Sequence, residues 1–354
     1  MTILVTGGLG FIGTNFILGH LASGGDGVVD LDLATYAGNP ANLSHLPDGE
    51  HLLVRGDVCD RALADRLLAE HRPRAVVHLA AESHVDRSIS GPAAFVQTNI
   101  VGTFTLLEAA KAHWESLDGV GRDAFRFLYV STDEVYGSLG PDDPPFTERS
   151  PCAPNSPYSA SKAAGDHLAR SYFKTYGFPA MTTHCSNNYG PYQFPEKLIP
   201  LMIINAIAEK PLPVYGDGRQ VRDWIHVEDH ARALSLVLER GAPGETYNVG
   251  GRSERANMEV LEGICTVLDE TAPRAGGLRH IDLAVHVADR PGHDRRYAVD
   301  STKIEEELGF YPSYSFPDGL EAAVCWYRTN SRWVESVTSG EYRDWLKRHY
   351  GMGG

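Results

Sequence analysis

The sequence predicts an α/β fold in which a doubly wound parallel sheet is followed by a smaller, interleaved C-terminal α/β lobe. Three observations predict it: short apolar runs alternate with helical patterns, a glycine-rich turn follows the first run, and prolines break the pattern after about residue 190. Strands that alternate with helices are typical of βαβ units. Their right-handed crossovers place helices on both faces of the sheet.

The predicted strands of the first half are short and rich in β-branched residues. They are Ile3–Thr6, Val28–Asp32, Leu52–Arg55, Ala75–Leu79 and Phe125–Ser131. Helical patterns separate them at Phe11–Leu21, Arg61–Glu70 and Ala93–Ala112. This alternation places the strands in one parallel sheet.

The second half predicts a smaller and less regular lobe. Prolines interrupt the pattern at Pro191, Pro195, Pro200, Pro211 and Pro213, and helical patterns return at Val227–Glu239, Met258–Leu268 and Thr302–Leu308. We therefore assign residues 1–190 to a first domain, which is rejoined by about residues 225–250. Residues 191–224 and 251–330 form the second lobe, and residues 331–354 form a C-terminal tail.

Composition narrows the possible functions of the 354-residue chain. Its hydrophobic content of 42% is that of an ordinary globular protein, and its formal net charge of −14 disfavours nucleic-acid polymers and anionic membranes as partners. No run reaches the roughly 18 apolar residues of a spanning helix, and the N-terminus has no signal-peptide pattern. The five cysteines lie far apart and form no CxxC pair, which predicts reduced thiols and a cytoplasmic location.

A glycine-rich turn after the first strand predicts a dinucleotide site. Gly7, Gly10 and Gly13 form G-x-x-G-x-x-G, in which glycine lets a pyrophosphate approach the N-terminus of the following helix. Asp32 ends the next strand, where its carboxylate can bind a ribose diol and would repel a 2′-phosphate. The combination indicates a Rossmann-type NAD site, and the alternative is a plain turn with a surface aspartate. Asp57, after the third strand, either holds the adenine edge or caps the helix that follows.

Two further pairs of residues carry reactive groups. Tyr158 and Lys162 are four residues apart, so on a helix they share a face. An ammonium group near the phenol would lower the tyrosine pKa and let it accept a hydroxyl proton while hydride leaves the same carbon. Asp133 and Glu134 follow a predicted strand, and two close carboxyl groups can separate in pKa into an acid and a base. The alternatives are a chance spacing and a solvated acidic loop.

Together these features resemble the extended short-chain dehydrogenase/reductase family of nucleotide-sugar enzymes. The string Ser-Thr-Asp-Glu-Val-Tyr-Gly at residues 131–137 resembles the active-site motif of its 4,6-dehydratase branch. Further strings agree over roughly residues 2–330, at residues 31–39, 78–89, 186–200, 222–227 and 289–294.

The resemblance implies a lyase that oxidises C4 of dTDP-glucose with NAD, eliminates water across C5 and C6, and returns hydride to C6. The catalytic residues that it implies are Thr132, Asp133, Glu134, Tyr158 and Lys162. Those implied to bind NAD are Gly7, Gly10, Phe11, Ile12, Gly13, Asp32, Thr35, Gly38, Asp57, Val58, Leu79, Ala80, Ala81, Ser83, Thr98, Ser131, Tyr158, Lys162 and Asn188. Those implied to bind the substrate are Ser83, Thr132, Asn187, Glu196, Lys197, Leu198, Pro213, Tyr215, Arg222, Asn257, Arg290 and His293.

The resemblance also implies a homodimer, which packs through the helices at residues 93–112 and 158–176. No metal site is predicted, because His226 and His230 have zinc-like spacing but lack a third ligand. A 4-epimerase or decarboxylase acting on a UDP-sugar is the nearest alternative, and a non-catalytic NAD-binding regulator is a more distant one. The adjacent Asp133 and Glu134 argue against an epimerase, which lacks such a pair. Thymine and uracil differ by one methyl group, so the residues leave the base open.

Overall fold

A computed structural model describes residues 1–289 and 294–338 of the chain. Its strands are β1 (Thr2–Thr6), β2 (Gly27–Asp32), β3 (His51–Arg55), β4 (Ala75–His78), β5 (Arg126–Thr132), β6 (Ala180–Cys185), β7 (Asn187–Tyr189), β8 (Leu212–Tyr215), β9 (Val221–His226), β10 (Thr246–Val249), β11 (Glu254–Ala256), β12 (Ala284–Val287) and β13 (Arg296–Tyr297). Its α-helices are α1 (Phe11–Ala22), α2 (Arg61–His71), α3 (Val85–Ser90), α4 (Pro92–Phe95), α5 (Thr103–Ser116), α6 (Gly119–Ala124), α7 (Pro157–Tyr176), α8 (Leu198–Ile207), α9 (Val227–Arg240), α10 (Asn257–Thr271), α11 (Thr302–Leu308), α12 (Phe316–Thr329) and α13 (Ser331–Val337).

The main sheet has seven parallel strands in the order β10-β6-β5-β4-β1-β2-β3. Alternate residues of each strand enter different cores, since side chains of a strand point to opposite faces. Ile3 and Val5 of β1 pack with α1 and α9, whereas Leu4 packs with α2 and α5 on the other face. The predicted doubly wound fold is therefore confirmed.

The second lobe is more regular than the sequence predicted. Its core lies between α8, α10 and α12 and strands β8 and β9. Strand β9 pairs with β7 and β13 in parallel and with β11 in antiparallel orientation. Helix α8 was missed because Pro200 interrupts the pattern. Pro200 lies in the first turn of α8, where its missing N–H costs no intrahelical hydrogen bond.

The predicted helix at residues 93–112 is divided into three parts. Helix α4 ends at Phe95, a π-helical turn covers Val96–Gly102, and α5 begins at Thr103. Asn99 in this turn accepts a hydrogen bond from Glu82 N (2.9 Å) and donates to Glu82 O (2.9 Å). It also donates to Ser161 Oγ on α7 at 2.8 Å. The turn thus ties the helix layer to the segment after β4.

Between residues 190 and 250 the chain leaves the main sheet and returns to it. After β6 it passes through α8, β8 and β9 in the second lobe. Helix α9 then packs on α1, and β10 joins the sheet beside β6. Within residues 1–289 and 294–338, every helix is too short or too polar to cross a membrane.

Candidate active site

A cavity lies at the carboxyl ends of strands β1, β2, β4, β5 and β6, which is where ligands bind in open α/β sheets. All of the residues predicted to bind NAD line it, from the glycine turn to Asn188. The five predicted catalytic residues line it too, together with Ser83, Asn187, Glu196 and Lys197 of the predicted substrate set. The structure therefore brings these residues together in one cavity.

The glycine turn between β1 and α1 leaves room only for backbone. A Cβ on Gly13 would lie 2.1 Å from Gly7 O, and one on Gly7 would lie 2.6 Å from Ala80 N. Gly7 also has a φ of +77°, a conformation that favours glycine. Gly10 precedes α1 and provides no side-chain cap, so the first N–H groups of this helix face the cavity edge without a competing side chain.

Two buried aspartates of β2 hold this turn in place. Asp32 accepts hydrogen bonds from Leu9 N (3.0 Å) and Ala34 N (2.7 Å). Asp30 accepts one from Gly8 N at 2.9 Å. Burial raises the pKa of both carboxyl groups, and these backbone N–H groups act in the opposite direction. Asp32 thus shapes the turn in addition to lining the cavity.

Asp57 is not the cap of helix α2. That position belongs to Asp60, whose carboxylate accepts a hydrogen bond from Leu63 N at 3.0 Å. Asp57 instead accepts one from Cys59 N at 2.8 Å and lines the cavity. The capping interpretation of Asp57 is therefore wrong, because α2 begins three residues later than that interpretation requires.

Tyr158 and Lys162 lie in the first turns of α7, as their spacing predicted. The helix begins with a capping box between Ser156 and Ser159 and with Pro157 at its first position. The Lys162 ammonium is buried, donates to Val130 O at 2.7 Å, and lies 4.3 Å from the centre of the Tyr129 ring. Burial lowers the pKa of Lys162 to about 8.

The predicted lowering of the Tyr158 pKa is wrong for this structure. Burial raises the pKa of Tyr158 well above its usual range, and the nearby Glu134 and Cys185 raise it further. A hydrogen bond with Thr132 acts in the opposite direction. The Lys162 ammonium lies against the Val130 carbonyl oxygen and the Tyr129 ring.

Thr132, Asp133 and Glu134 form the turn that follows β5. Thr132 Oγ1 accepts a hydrogen bond from Glu134 N (3.3 Å) and donates one to Asp133 Oδ1 (3.4 Å). Asp133 is only 2% exposed, and its Oδ2 has no hydrogen-bond partner among the described residues. Burial raises the pKa of Asp133 well above its usual range, with added repulsion from Glu134 and Asp223. The raised pKa favours the protonated form of Asp133, which is the direction that two adjacent carboxyl groups predict.

Five of the remaining predicted substrate residues are described by the structure, and they do not line this cavity. Leu198 begins α8, Pro213 and Tyr215 lie in β8, and Asn257 begins α10. Arg222 in β9 is buried and donates to the carbonyls of Val221 (2.7 Å) and Asp294 (2.9 Å). Arg290 and His293 lie outside the described residues.

Several residues that line the cavity were not predicted to bind a ligand. They are Leu31, Leu33, Ala37, Glu82, Val130, Cys185, Ser186, Gln193 and Phe194. Glu82, Gln193 and Phe194 lie within the sequence strings that resemble the family, so the resemblance could have indicated them. Cys185 had none, because it was counted only among the scattered thiols.

Comparison with known proteins supports one family. The family model described as GDP-mannose 4,6 dehydratase matches residues 4–323. The chain is 59% identical over 343 residues to a dTDP-glucose 4,6-dehydratase of Xanthomonas campestris pv. campestris (strain B100), covering 97% of each chain.

Solved structures separate two activities on this fold. A dTDP-glucose 4,6-dehydratase from Streptomyces venezuelae with NAD and TDP bound is 47% identical, with a TM-score of 0.84 over 95% of this chain and 100% of its own. A UDP-glucose 4-epimerase from Thermotoga maritima has a TM-score of 0.82 but is 27% identical, over 94% of this chain and 100% of its own. The backbones are nearly equally similar, so side chains distinguish them.

Proposed function

This chain belongs to the GDP-mannose 4,6 dehydratase family of extended short-chain dehydrogenase/reductases, and on that premise we propose that it dehydrates dTDP-glucose to dTDP-4-keto-6-deoxyglucose. One observation carries the proposal: Asp133 and Glu134 share one cavity with Tyr158 and Lys162. An epimerase needs the tyrosine–lysine pair alone. An elimination also needs an acid and a base.

The site fits NAD as the resident cofactor. The glycine turn has no room for a Cβ at Gly7 or Gly13, the first turn of α1 has no side-chain cap, and the Asp32 carboxylate lines the same cavity. These are the features that bind a pyrophosphate and a ribose diol. When bound in its oxidised form, NAD supplies positive charge and the hydride acceptor for C4, and it later returns the hydride to C6.

In the first half of the reaction, Tyr158 accepts the proton of the sugar 4-hydroxyl group. Thr132 holds the same oxygen through its hydroxyl group, and the buried ammonium group of Lys162, one helical turn along α7, contributes positive charge to the site. Since burial and Glu134 raise the pKa of Tyr158, the phenolate needs this positive charge.

In the second half, the 4-ketone acidifies the proton on C5. Glu134 removes that proton, and Asp133 protonates the 6-hydroxyl group as its bond to C6 breaks. Water leaves, and a double bond forms between C5 and C6. When hydride is added to C6, C5 takes up a proton from Glu134, which has exchanged with solvent. The raised pKa of Asp133 suits the acid, since a carboxyl group must carry a proton in order to give one.

For the sugar nucleotide we propose two groups of contacts. Glu196, Lys197, Ser83 and Asn187 would hold the sugar end. Asn187 Oδ1 is buried without a partner among the described residues, and Lys197 Nζ reaches Ser83 O at 3.0 Å. Arg222, Asn257, Arg290 and His293 would bind the diphosphate, with Leu198, Pro213 and Tyr215 near the base. Residues 1–190, rejoined by about 225–250, thus hold the cofactor and part of the sugar, and the second lobe supplies most of the contacts to the substrate.

We also propose a homodimer in the cytoplasm. Val96, Val101 and Phe104 are 50%, 38% and 48% exposed on neighbouring turns of the segment predicted to form the interface. All five cysteines are free, as expected in a reducing compartment. Light scattering at micromolar concentration tests the assembly: a dimer supports the proposal, and a monomer contradicts it.

Mass spectrometry of the reaction products tests the function. The purified protein with NAD is incubated separately with dTDP-glucose, UDP-glucose and UDP-glucuronic acid. Loss of one water from dTDP-glucose, with one solvent deuteron gained at C5 in heavy water, is the expected result. A product of unchanged mass with inverted C4 would support the epimerase, and loss of carbon dioxide would support the decarboxylase.

A further inference from the structure

Four buried polar side chains near the catalytic residues form a hydrogen-bonded series, and none of them takes part in the proposed reaction. Asp166 of α7 lies 2.9 Å from His184 Nε2, and His184 Nδ1 lies 2.6 Å from the hydroxyl oxygen of Tyr136. Tyr136 in turn lies 2.8 Å from Asn248 Oδ1 on β10. All four side chains are buried, with exposures of 7% or less.

The amide of Asn248 sets the direction of these hydrogen bonds. Its Nδ2 group donates to the carbonyl oxygens of Phe146 (3.0 Å) and Asp300 (3.3 Å), which can only accept. The Oδ1 atom therefore faces Tyr136, and it can only accept as well. The single hydroxyl proton of Tyr136 must point to Asn248.

This direction determines the protonation of His184. Because Tyr136 has no second proton to donate, its oxygen accepts from His184 Nδ1. The other ring nitrogen faces the carboxylate of Asp166, which is an acceptor when ionised. A carboxyl group is a stronger acid than an imidazolium group, so Asp166 is taken as ionised. Every hydrogen bond is then made only if both ring nitrogens carry protons, and Asp166 balances the positive charge of the ring.

This hydrogen-bonded series connects the turn of Asp133 and Glu134 with the helix that carries Tyr158 and Lys162. Tyr136 lies in the same short turn as Asp133 and Glu134. Asp166 lies on α7 four residues beyond Lys162 and eight beyond Tyr158, at the spacing of successive helical turns. His184 on β6 joins the turn that contains Asp133 and Glu134, here called the acid–base turn, to helix α7.

We propose that Tyr136 and His184 are positioning residues: a doubly protonated His184, paired with Asp166, holds the turn of Asp133 and Glu134 in register with α7. The catalytic consequence of this inference rests on the proposed function, whereas the protonation of the His184 ring is independent of it. Loss of the Tyr136 hydroxyl group frees the turn from the ring. The elimination step then suffers more than the oxidation at C4, whose residues lie on β5 and α7.

The protonation is tested by ¹⁵N NMR of the histidine rings at neutral pH, independently of activity. The signals of His184 are assigned by their loss in His184→Asn or by their change in Asp166→Asn. In the wild-type protein they should show two protonated nitrogens. In Asp166→Asn the amide can donate to Nε2, so the ring should become neutral with one unprotonated nitrogen. A neutral ring in the wild-type protein would overturn the proposal.

The positioning role is tested by comparing Tyr136→Phe with Tyr172→Phe. The control removes an equally short hydrogen bond, between Tyr172 of α7 and Glu108 of α5 at 2.6 Å, and neither residue lines the cavity. Tyr136→Phe should slow water loss about 10- to 100-fold. The C4 oxidation, followed by the absorbance of bound NADH, should stay within about threefold of wild type.

Two results separate the outcomes. If the wild-type protein loses no water from dTDP-glucose, the proposed function fails while the NMR result stands. If the wild-type protein is active and Tyr136→Phe slows both steps equally, or slows neither, the positioning role is overturned. Accumulation of bound NADH in Tyr136→Phe and not in Tyr172→Phe supports it.

Discussion

The glycine turn and the acid–base turn both follow strands of one sheet, yet they are built on opposite principles. At Gly7 and Gly13 the turn packs closely against other backbone atoms, so an added methyl group would clash with them. At Asp133 and Glu134 it consists of side chains in a buried environment that shifts the pKa of Asp133. The cofactor turn is therefore sensitive to volume, and the acid–base turn is sensitive to charge.

This contrast predicts different outcomes for conservative substitutions. A change of volume at the glycine turn should lower both cofactor affinity and stability. A change of charge without a change of volume at the acid–base turn should remove activity and leave the fold intact.

Asp133→Asn should have the largest effect on activity. We expect kcat to fall about 10²- to 10⁴-fold, which is the usual contribution of a general acid. The melting temperature should stay equal or rise, because the amide avoids the cost of a buried carboxyl group. Glu134→Gln is the matched variant: it should block deuterium incorporation at C5 while NAD reduction persists. Normal turnover of either variant would contradict its assigned role.

Gly13→Ala should damage the cofactor turn. The added Cβ would lie 2.1 Å from Gly7 O, so the turn must open, at a cost of about 1–3 kcal/mol in the free energy of unfolding. NAD retained after gel filtration should fall with it. Gly19→Ala in the same helix is the control, since its Cβ meets nothing within 4 Å. That variant should keep NAD and gain up to about 1 kcal/mol from helix propensity. Equal NAD loss in both would refute the volume argument.

Lys162 should make activity and stability respond to pH in opposite directions. Its pKa is lowered from 10.5 to about 8, so the native state loses this proton before the unfolded state does. The stability of the wild type should therefore rise relative to Lys162→Met as the pH increases from about 8 towards about 10, by about 2 kcal/mol. Below about pH 8 the full cost of burying the ammonium remains.

Over the same range kcat/KM should fall, because the neutral amine no longer favours the phenolate. Denaturant titrations and initial rates at several pH values check both trends. A stability difference that does not change with pH would contradict the assigned buried ammonium.

Asp57 and Asp60 should show the smallest effects and separate cofactor binding from helix capping. Asp60→Ala should cost about 1 kcal/mol of stability through the lost cap and leave NAD affinity unchanged. Asp57→Asn keeps an acceptor for Cys59 N and should weaken NAD binding without loss of stability. Calorimetric NAD titrations and thermal melts distinguish the two, and a reversed pattern would restore the capping role to Asp57.

Local sequence patterns predicted five of the seven strands of the main sheet, β1 to β5, but missed β6 and β10 and predicted the second lobe poorly. Runs such as Val28–Asp32 are short and apolar because both faces of a parallel strand are buried, and this leaves a clear signal. Helix α8 and the π-helical turn at Val96–Gly102 were missed for different reasons. Pro200 looked like an interruption of the helix, and the turn depends on Asn99, whose partners Glu82 and Ser161 are far away in the sequence.

The sequence by itself determined the residue types that the chemistry requires, namely the glycine turn, Asp32, the adjacent carboxyl groups and the tyrosine–lysine pair. These signals are local, because a turn, a strand end and a helical face each involve a few neighbouring residues. Only the tertiary structure decided their electrostatics. Burial and groups from other segments raise the pKa values of Tyr158 and Asp133. The hydrogen bonds of His184 join α7 to the acid–base turn. Such effects depend on distances between segments that the order of residues does not contain.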